Sequence, residues 1–123
     1  MRKDPLNVRR GQVYLARLNG VGSEQRGKRP VVVVQNNTGN RFSPTTIVAP
    51  ITSVLKHRQL PVHVPLYGQK LYKNSMVLCE QIQVMDKSRL GKQLCELSEN
   101  ELNDMNAALA VSIDVAGGKH NVK

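Results

Sequence analysis

The sequence lacks tryptophan and long apolar runs, and it has few cysteines and few acidic residues. No apolar stretch approaches the roughly 18 residues that a membrane-spanning helix needs. The segment Met1–Arg10 is polar and charged, without the apolar core of a secretory signal peptide. We therefore expect a cytoplasmic protein with no membrane partner.

The scarcity of cysteine and acidic residues argues against a metal site. Cys79 and Cys95 form no C-x-x-C pair, so a zinc site is not indicated. Cys79 ends an apolar run, where we expect a buried free thiol, and a disulfide to Cys95 is disfavoured in a reducing cytoplasm. Only nine acidic residues are present, and four of them lie beside the start of the predicted helix, so we predict neither a metal nor another cofactor: Glu96, Glu99, Glu101 and Asp104.

Positive charge is abundant. The chain has 18 lysines and arginines, a formal net charge of +9 and a pI of about 10.0. Such an excess favours a polyanionic partner, namely RNA, DNA, an anionic membrane or an acidic protein. The basic residues are spread along the chain instead of lining one amphipathic helix, which argues against a membrane surface. Composition alone leaves open that the charge only keeps the protein soluble.

The pattern of the chain predicts short strands and one helix. A single domain is expected at residues 9–116, between a flexible N-terminal extension, residues 1–8, and a flexible tail, residues 117–123. Polar segments at Asn19–Arg29 and Asn36–Pro44 are predicted loop and turn regions. Alternation and β-branched runs predict six strands: Gln12–Leu18, Pro30–Gln35, Thr45–Ile51, Pro61–Val64, Met76–Val84 and Gln93–Leu97.

One helix is marked by its capping residues. Ser98 and Glu101 form an S-x-x-E capping box, and apolar residues then recur at helical spacing up to Gly117–Gly118, which is predicted to end the helix. A short helical turn is predicted at Lys87–Leu90. Many short strands with one terminal helix predict a mainly β protein, a small curled sheet or barrel on which the helix packs.

Two positions are candidates for chemistry. Arg29 precedes Pro30 at the end of a glycine-rich loop that also carries Glu24, and loops that end at a rigid strand often present catalytic groups. The alternative is a solvated Glu/Arg surface pair worth about 0–1 kcal/mol. Thr52 follows an apolar strand, where its hydroxyl could bind a phosphate oxygen or simply cap a turn.

Five segments, taken together, resemble a known family. They have the sequences RGQVY, GSEQRGKRP, QNNTGNRFSPT, APIT and CEQI, and they lie at Arg10–Tyr14, Gly22–Pro30, Gln35–Thr45, Ala49–Thr52 and Cys79–Ile82. Their order and spacing closely resemble the MazF/PemK family of toxin endoribonucleases, the mRNA interferases of type II toxin–antitoxin systems. The loop after the first strand departs from the family pattern, because it has Asn19-Gly20 where a proline is common.

The resemblance implies an SH3-like small β-barrel with a C-terminal helix, assembled as a homodimer. It also implies metal-independent, sequence-specific cleavage of single-stranded RNA, and inhibition by an acidic antitoxin protein. The family's catalytic arginine and threonine match Arg29 and Thr52, and Glu24 matches the acid of its loop motif.

These residues suit cleavage by the substrate's own 2′-hydroxyl, which leaves a 2′,3′-cyclic phosphate and a 5′-hydroxyl. A guanidinium stays protonated and matches phosphate oxygens, so Arg29 is assigned to charge stabilisation. Thr52 is assigned to donating a hydrogen bond to a non-bridging oxygen, and Glu24 to accepting the 2′-proton. The three histidines are expected to be structural or on the surface: His57, His63 and His120.

RNA binding calls for backbone charge and for groups that recognise bases. With a single phenylalanine and three tyrosines, stacking on aromatic rings is limited, so we expect hydrogen bonds to base edges instead. Gln81 could equally be an ordinary residue of the sheet surface. Together with the basic loop residues, the predicted RNA-binding set is Ser23, Gln25, Lys28, Arg41, Lys56, Arg58 and Gln81.

Two alternatives remain at this point. The first is a non-catalytic toxin on the same barrel, of the kind that poisons DNA gyrase. The second is an SH3-like RNA-binding module without catalysis. Neither of them needs Arg29 together with Thr52.

Overall fold

The computed structural model describes residues 7–53, 60–67, 71 and 73–115 of the chain. A mainly β architecture with a C-terminal helix is confirmed. Single 3-10 turns lie at Cys79–Gln81 and Lys87–Arg89, the second as predicted. The strands and helices are β1 Gln12–Asn19, β2 Arg26–Val33, α1 Asn37–Phe42, β3 Thr45–Thr52, β4 His63–Leu66, β5 Ser75–Leu78, β6 Gln83–Asp86, β7 Gln93–Glu96 and α2 Glu99–Ser112.

The strands form one curled sheet in the order β4-β5-β3-β2-β1-β7, with β6 pairing to β3. The second half of β3 pairs with β5 and its first half with β6. Between these two pairings the register changes by three residues, which is the length of the 3-10 turn Cys79–Gln81. The prediction of one continuous strand at Met76–Val84 is therefore wrong, because β3 changes partner at this turn.

Strand β2 begins four residues earlier than predicted. It forms a hairpin with β1 in which Asn19 pairs with Arg26 and Ala16 with Arg29. Arg26, Lys28 and Arg29 are therefore strand residues and not loop residues. Backbone pairing with β1 supplies the hydrogen bonds here, so the polar side chains do not prevent strand formation.

Other boundaries also differ from the prediction, most of them by one or two residues. The predicted turn region Asn36–Pro44 contains α1, because the Asn36 side chain caps this helix by accepting the Gly39 N–H at 2.8 Å. Strand β4 begins two residues later than predicted. Helix α2 starts at the predicted capping box but ends at Ser112, before Gly117–Gly118, which lie outside the described residues.

The sheet has a core on each face. Val32 and Val34 face the core that α2 covers with Met105 and Ala108. Val31 and Val33 face the opposite core, which includes Tyr14, Val48 and Met85. The prediction that the valine run forms a strand buried on both faces is confirmed.

Both cysteines are free thiols, and Cys79 is fully buried as predicted. Burial, with a smaller contribution from the neighbouring Glu80 carboxylate, raises the pKa of the Cys79 thiol to about 12. Because the unfolded thiol ionises at lower pH, this group favours the folded state below about pH 9, and that contribution is lost as the pH rises towards 12.

Candidate active site

The loop that joins β1 to β2 is short and has a fixed shape. The Glu24 N–H donates to the Val21 carbonyl at 3.0 Å, and the Glu24 carboxylate accepts the Val21 N–H at 2.8 Å. A side chain at Gly20 would collide with the Gln25 carbonyl and with Glu24. The loop therefore places Glu24 by hydrogen bonds and by a close approach that only glycine allows.

Gln81 ties this loop to the 3-10 turn Cys79–Gln81. Its Oε1 accepts the Gln25 backbone N–H at 2.9 Å, and its Nε2 lies 3.4 Å from the Ser23 carbonyl. Gln81 therefore lies in a turn where its amide holds the loop in place, and its RNA-binding role stays a prediction.

A cavity of about 390 Å³, here called the loop pocket, opens beside this connection. The Gln25 Oε1 atom is buried and accepts no hydrogen bond from any described residue. The His63 Nε2 atom lies 3.0 Å from Glu80 Oε2, with the histidine buried and the glutamate side chain 40% exposed. The pocket is lined by Ser23, Gln25, Leu60, His63, Leu78, Glu80 and Gln81.

Arg29 lies in a different and larger cleft of about 420 Å³, here called the basic cleft. Its Nε donates to the Arg26 carbonyl at 2.8 Å, which holds the guanidinium and leaves both Nη groups for a ligand. Four cationic side chains and no carboxylate line the basic cleft. The lining is Lys28, Arg29, Pro30, Ile51, Ser53, Leu71, Lys73, Ser75, Lys92, Gln93 and Leu94.

Thr52 lies at the edge of the basic cleft without lining it. The pairing of Val31 with Pro50 brings Arg29 and Thr52 to the same end of β2 and β3. Thr52 is buried, however, and the neighbouring Ser53 is the exposed hydroxyl that lines the cleft. The catalytic role of Thr52 stays a prediction, and Ser53 is a cleft residue that the sequence analysis did not single out.

The other predicted site residues lie elsewhere. Glu24 lines a third cavity, together with Glu80 and Arg89, and not the basic cleft. Arg41 lies in α1, with its guanidinium 5.2 Å from the centre of the Phe42 ring. Lys56 and Arg58 lie outside the described residues. The structure thus groups Lys28 with Arg29, and Ser23 with Gln25 and Gln81, but it does not bring Glu24, Arg29 and Thr52 into one cavity.

The described residues contain no group of three or more His, Cys, Asp or Glu side chains able to hold a metal. They also contain no helix long and apolar enough to cross a membrane.

Residues 9–113 match the model of the PemK-like, MazF-like toxins of type II toxin–antitoxin systems. The chain belongs to this family. A MazF-family relative from Staphylococcus saprophyticus, named endoribonuclease MazF, is 46% identical over 119 residues, which cover 94% of this chain and 96% of the relative.

Solved MazF-family structures share the fold. MazF from Deinococcus radiodurans superposes with a TM-score of 0.73 at 26% identity, over 87% of this chain and 96% of that one. A mycobacterial endoribonuclease in complex with its cognate antitoxin also gives a TM-score of 0.73, at 27% identity, over 88% and 96% of the two chains. The chain therefore has the MazF-like fold that the resemblance implied.

The sequence analysis did not single out one acidic residue that lines two of these cavities. Glu80 lines both the loop pocket and the cavity that contains Glu24. A signal was present, because Glu80 belongs to the CEQI segment that carries the resemblance, yet only its neighbour Gln81 was assigned a role.

Proposed function

We propose that this chain is a toxin that cleaves single-stranded RNA, mRNA in particular, at specific sequences in the cytoplasm. The observation that carries the proposal is the basic cleft, where Arg29 lies among cationic side chains without a carboxylate partner. Family membership and a net charge of +9 support an RNA substrate. A phosphodiester would bring the negative charge that this cleft lacks.

The proposed reaction is metal-independent and uses the 2′-hydroxyl of the substrate. The 2′-oxygen attacks the adjacent phosphorus while its proton passes to a carboxylate. The bond from phosphorus to the 5′-oxygen breaks, and that oxygen takes up a proton from Arg29 or from water, which gives a 2′,3′-cyclic phosphate and a 5′-hydroxyl. Arg29 stabilises the charge on the phosphorane through its Nη groups, and Thr52 donates a hydrogen bond to a non-bridging oxygen. We assign the 2′-proton to Glu24, although its cavity is separate from the basic cleft; in this proposal the bound RNA brings the two together.

The remaining predicted residues are proposed to bind RNA. In the loop pocket, Gln25 offers a buried amide oxygen without a donor, which suits a base N–H, while Ser23 and Gln81 shape the loop. Lys28, Arg41, Lys56 and Arg58 are proposed to contact phosphates. Leaving a buried acceptor unpaired is costly, so a base that supplies the missing donor would be favoured over one that does not.

One incubation tests the activity. Purified protein is mixed with a long single-stranded RNA in EDTA, and the products are mapped and their ends identified. Discrete cleavage sites with 5′-hydroxyl ends are expected. Binding without cleavage would instead select an RNA-binding module, and inhibition of DNA gyrase without cleavage would select the gyrase-poison alternative.

The proton acceptor can be identified from two matched variants. Glu24→Gln is expected to lower kcat by about 100-fold or more, because it removes the base, while the amide oxygen still accepts the Val21 N–H. Glu80→Gln is expected to cause a much smaller loss. The measurement is kcat as a function of pH, with Glu99→Gln on the exposed start of α2 as the charge-matched control. A large loss in Glu80→Gln with full turnover in Glu24→Gln would move the base to Glu80.

The hydroxyl donor can be tested in the same way. Thr52→Val is expected to lower kcat about 10- to 100-fold, because a hydrogen bond to a charged group contributes about 1.5–3 kcal/mol. Ser53→Ala is expected to lower kcat by a smaller factor, although Ser53 lines the basic cleft. Thermal unfolding of Thr52→Val checks that the buried site still packs. If Ser53→Ala shows the larger loss, the exposed hydroxyl is the donor and the assignment to Thr52 is wrong.

The proposed assembly is a homodimer that an acidic antitoxin inhibits. Apolar side chains remain exposed at the end of α2, namely Val111, Ile113 and Val115, and a second copy would cover such a patch. The excess of positive charge suits an acidic inhibitor. Light scattering of the purified protein tests the dimer directly.

A further inference from the structure

We propose that Lys73 and Lys92 bind RNA phosphates next to the scissile one, so that the basic cleft holds more than one phosphate around Arg29. The inference rests on the proposed function and adds two substrate-positioning residues to it. The volume of the basic cleft, about 420 Å³, lies within the range of about 300–1,000 Å³ that is usual for ligand sites.

The two lysines approach Arg29 from separate parts of the chain on anchored backbone. The Lys92 carbonyl accepts the Leu15 N–H at 3.0 Å, and the adjacent Gly91 N–H donates to the Leu15 carbonyl at 2.7 Å. Lys73 donates its N–H to the Leu71 carbonyl at 2.6 Å, while its own carbonyl accepts the Ser75 hydroxyl at 3.0 Å. The backbone of Lys92 is therefore tied to β1, and Lys73 lies just before β5 within local hydrogen bonds; each ammonium group is a positive charge on a long side chain that can follow a phosphate.

No described carboxylate neutralises this cluster. No carboxylate lines the basic cleft, and the contact between His63 and Glu80 lies in the loop pocket instead. Gathering the cations Lys28, Arg29, Lys73 and Lys92 around one cleft costs repulsive energy in the free protein, and an anionic ligand would remove that cost.

The rest of the lining favours a nucleotide over a stretch of acidic peptide. The apolar side chains of Pro30, Ile51, Leu71 and Leu94 line the same cleft as the cations. A nucleotide strand presents regularly spaced phosphates together with flat apolar bases, so it matches both kinds of surface at once. The proposed occupant is therefore single-stranded RNA, and an acidic protein segment is the alternative that the experiment must separate.

The experiment compares Lys73→Gln, Lys92→Gln and the double variant with the wild type. The probe is a 2′-O-methyl RNA that carries the cleavage sequence mapped for the wild type; it lacks the nucleophile and so reports binding alone. The slope of log Kd against log salt concentration is expected to fall by about 0.7 for each lysine and by about 1.4 in the double variant. In cleavage assays KM is expected to rise while kcat changes much less, because these lysines hold phosphates that do not react.

The matched control removes two charges from the segment that follows the predicted domain. Lys119→Gln/Lys123→Gln carries the same net charge as the double lysine variant. Its salt slope is expected to equal that of the wild type.

The possible results separate the two proposals. A wild type that cleaves no RNA would end the proposed function itself. A wild type that cleaves, with a double variant at Lys73 and Lys92 that behaves like the charge-matched control, would overturn the inference alone. If the lysine variants bound a poly-glutamate peptide more weakly but bound RNA unchanged, the lysines would be assigned to an acidic protein instead. A change in the slope of log Kd against log salt would also overturn the inference if light scattering showed that the subunits had dissociated.

Discussion

Arg29→Ala is expected to lower kcat for RNA cleavage by about 10³-fold, with a much smaller change in KM. Removing one preorganised donor to a developing oxyanion typically costs about 10²–10³-fold, and Arg29 is assigned two such donors. Its Nε is already held by the Arg26 carbonyl at 2.8 Å, so the guanidinium needs little reorganisation when substrate arrives. The measurement is single-turnover cleavage at saturating RNA.

The control for Arg29→Ala is a variant that keeps the positive charge but not the planar shape of the guanidinium. Arg29→Lys still places a cation in the basic cleft but lacks the planar fork that bonds two phosphate oxygens. Compared with Arg29→Ala, we expect Arg29→Lys to regain substrate binding but only a small part of kcat. If Arg29→Lys cleaved as fast as the wild type, the role of Arg29 would be general attraction of RNA, and charge stabilisation on the phosphorane would need another residue.

The fold could be predicted from the sequence where a local pattern decides the structure. The valine run, the alternation in β1 and the capping box at Ser98 each act within a few residues, and the structure confirms all three. The start of β2 and the break between β5 and β6 could not be predicted. Both depend on pairing with another strand, β1 for the start of β2 and β3 for the break, and the pairing overrides the local preference of the residues.

Prediction of the site residues has the same limit as prediction of the fold. Arg29 was found from a motif of contiguous residues, because the loop and the strand that present it are encoded together. Lys73, Lys92 and Ser53 were missed because they belong to separate segments, and only the order of the strands brings them to Arg29. Motif reading locates a reactive group, whereas the surface that surrounds it depends on the topology of the sheet.

A buried amide network away from the basic cleft provides the second large effect. Asn40 is 1% exposed, and its Oδ1 accepts the Thr46 hydroxyl at 2.6 Å and the Gln35 amide at 3.0 Å. Its Nδ2 donates to the Gln35 carbonyl at 2.8 Å, and its own backbone carbonyl accepts the Lys87 ammonium. One side chain thus joins α1 to the start of β3, and its backbone joins α1 to the turn that follows β6.

Asn40→Ala is expected to lower the free energy of unfolding by about 3 kcal/mol. The change leaves the buried Thr46 hydroxyl without this acceptor and removes one of the two acceptors of the Gln35 amide, the other being the Thr45 carbonyl. An unsatisfied buried group costs about 1–3 kcal/mol. Urea unfolding measures the loss, and Thr38→Ala, an exposed position in the same helix, is the control. Because Asn40 does not line the basic cleft, the folded variant should keep the wild-type kcat. A loss below about 1 kcal/mol would mean that the partners find other acceptors. A lowered kcat in fully folded protein would show instead that α1 is coupled to the cleft through β3.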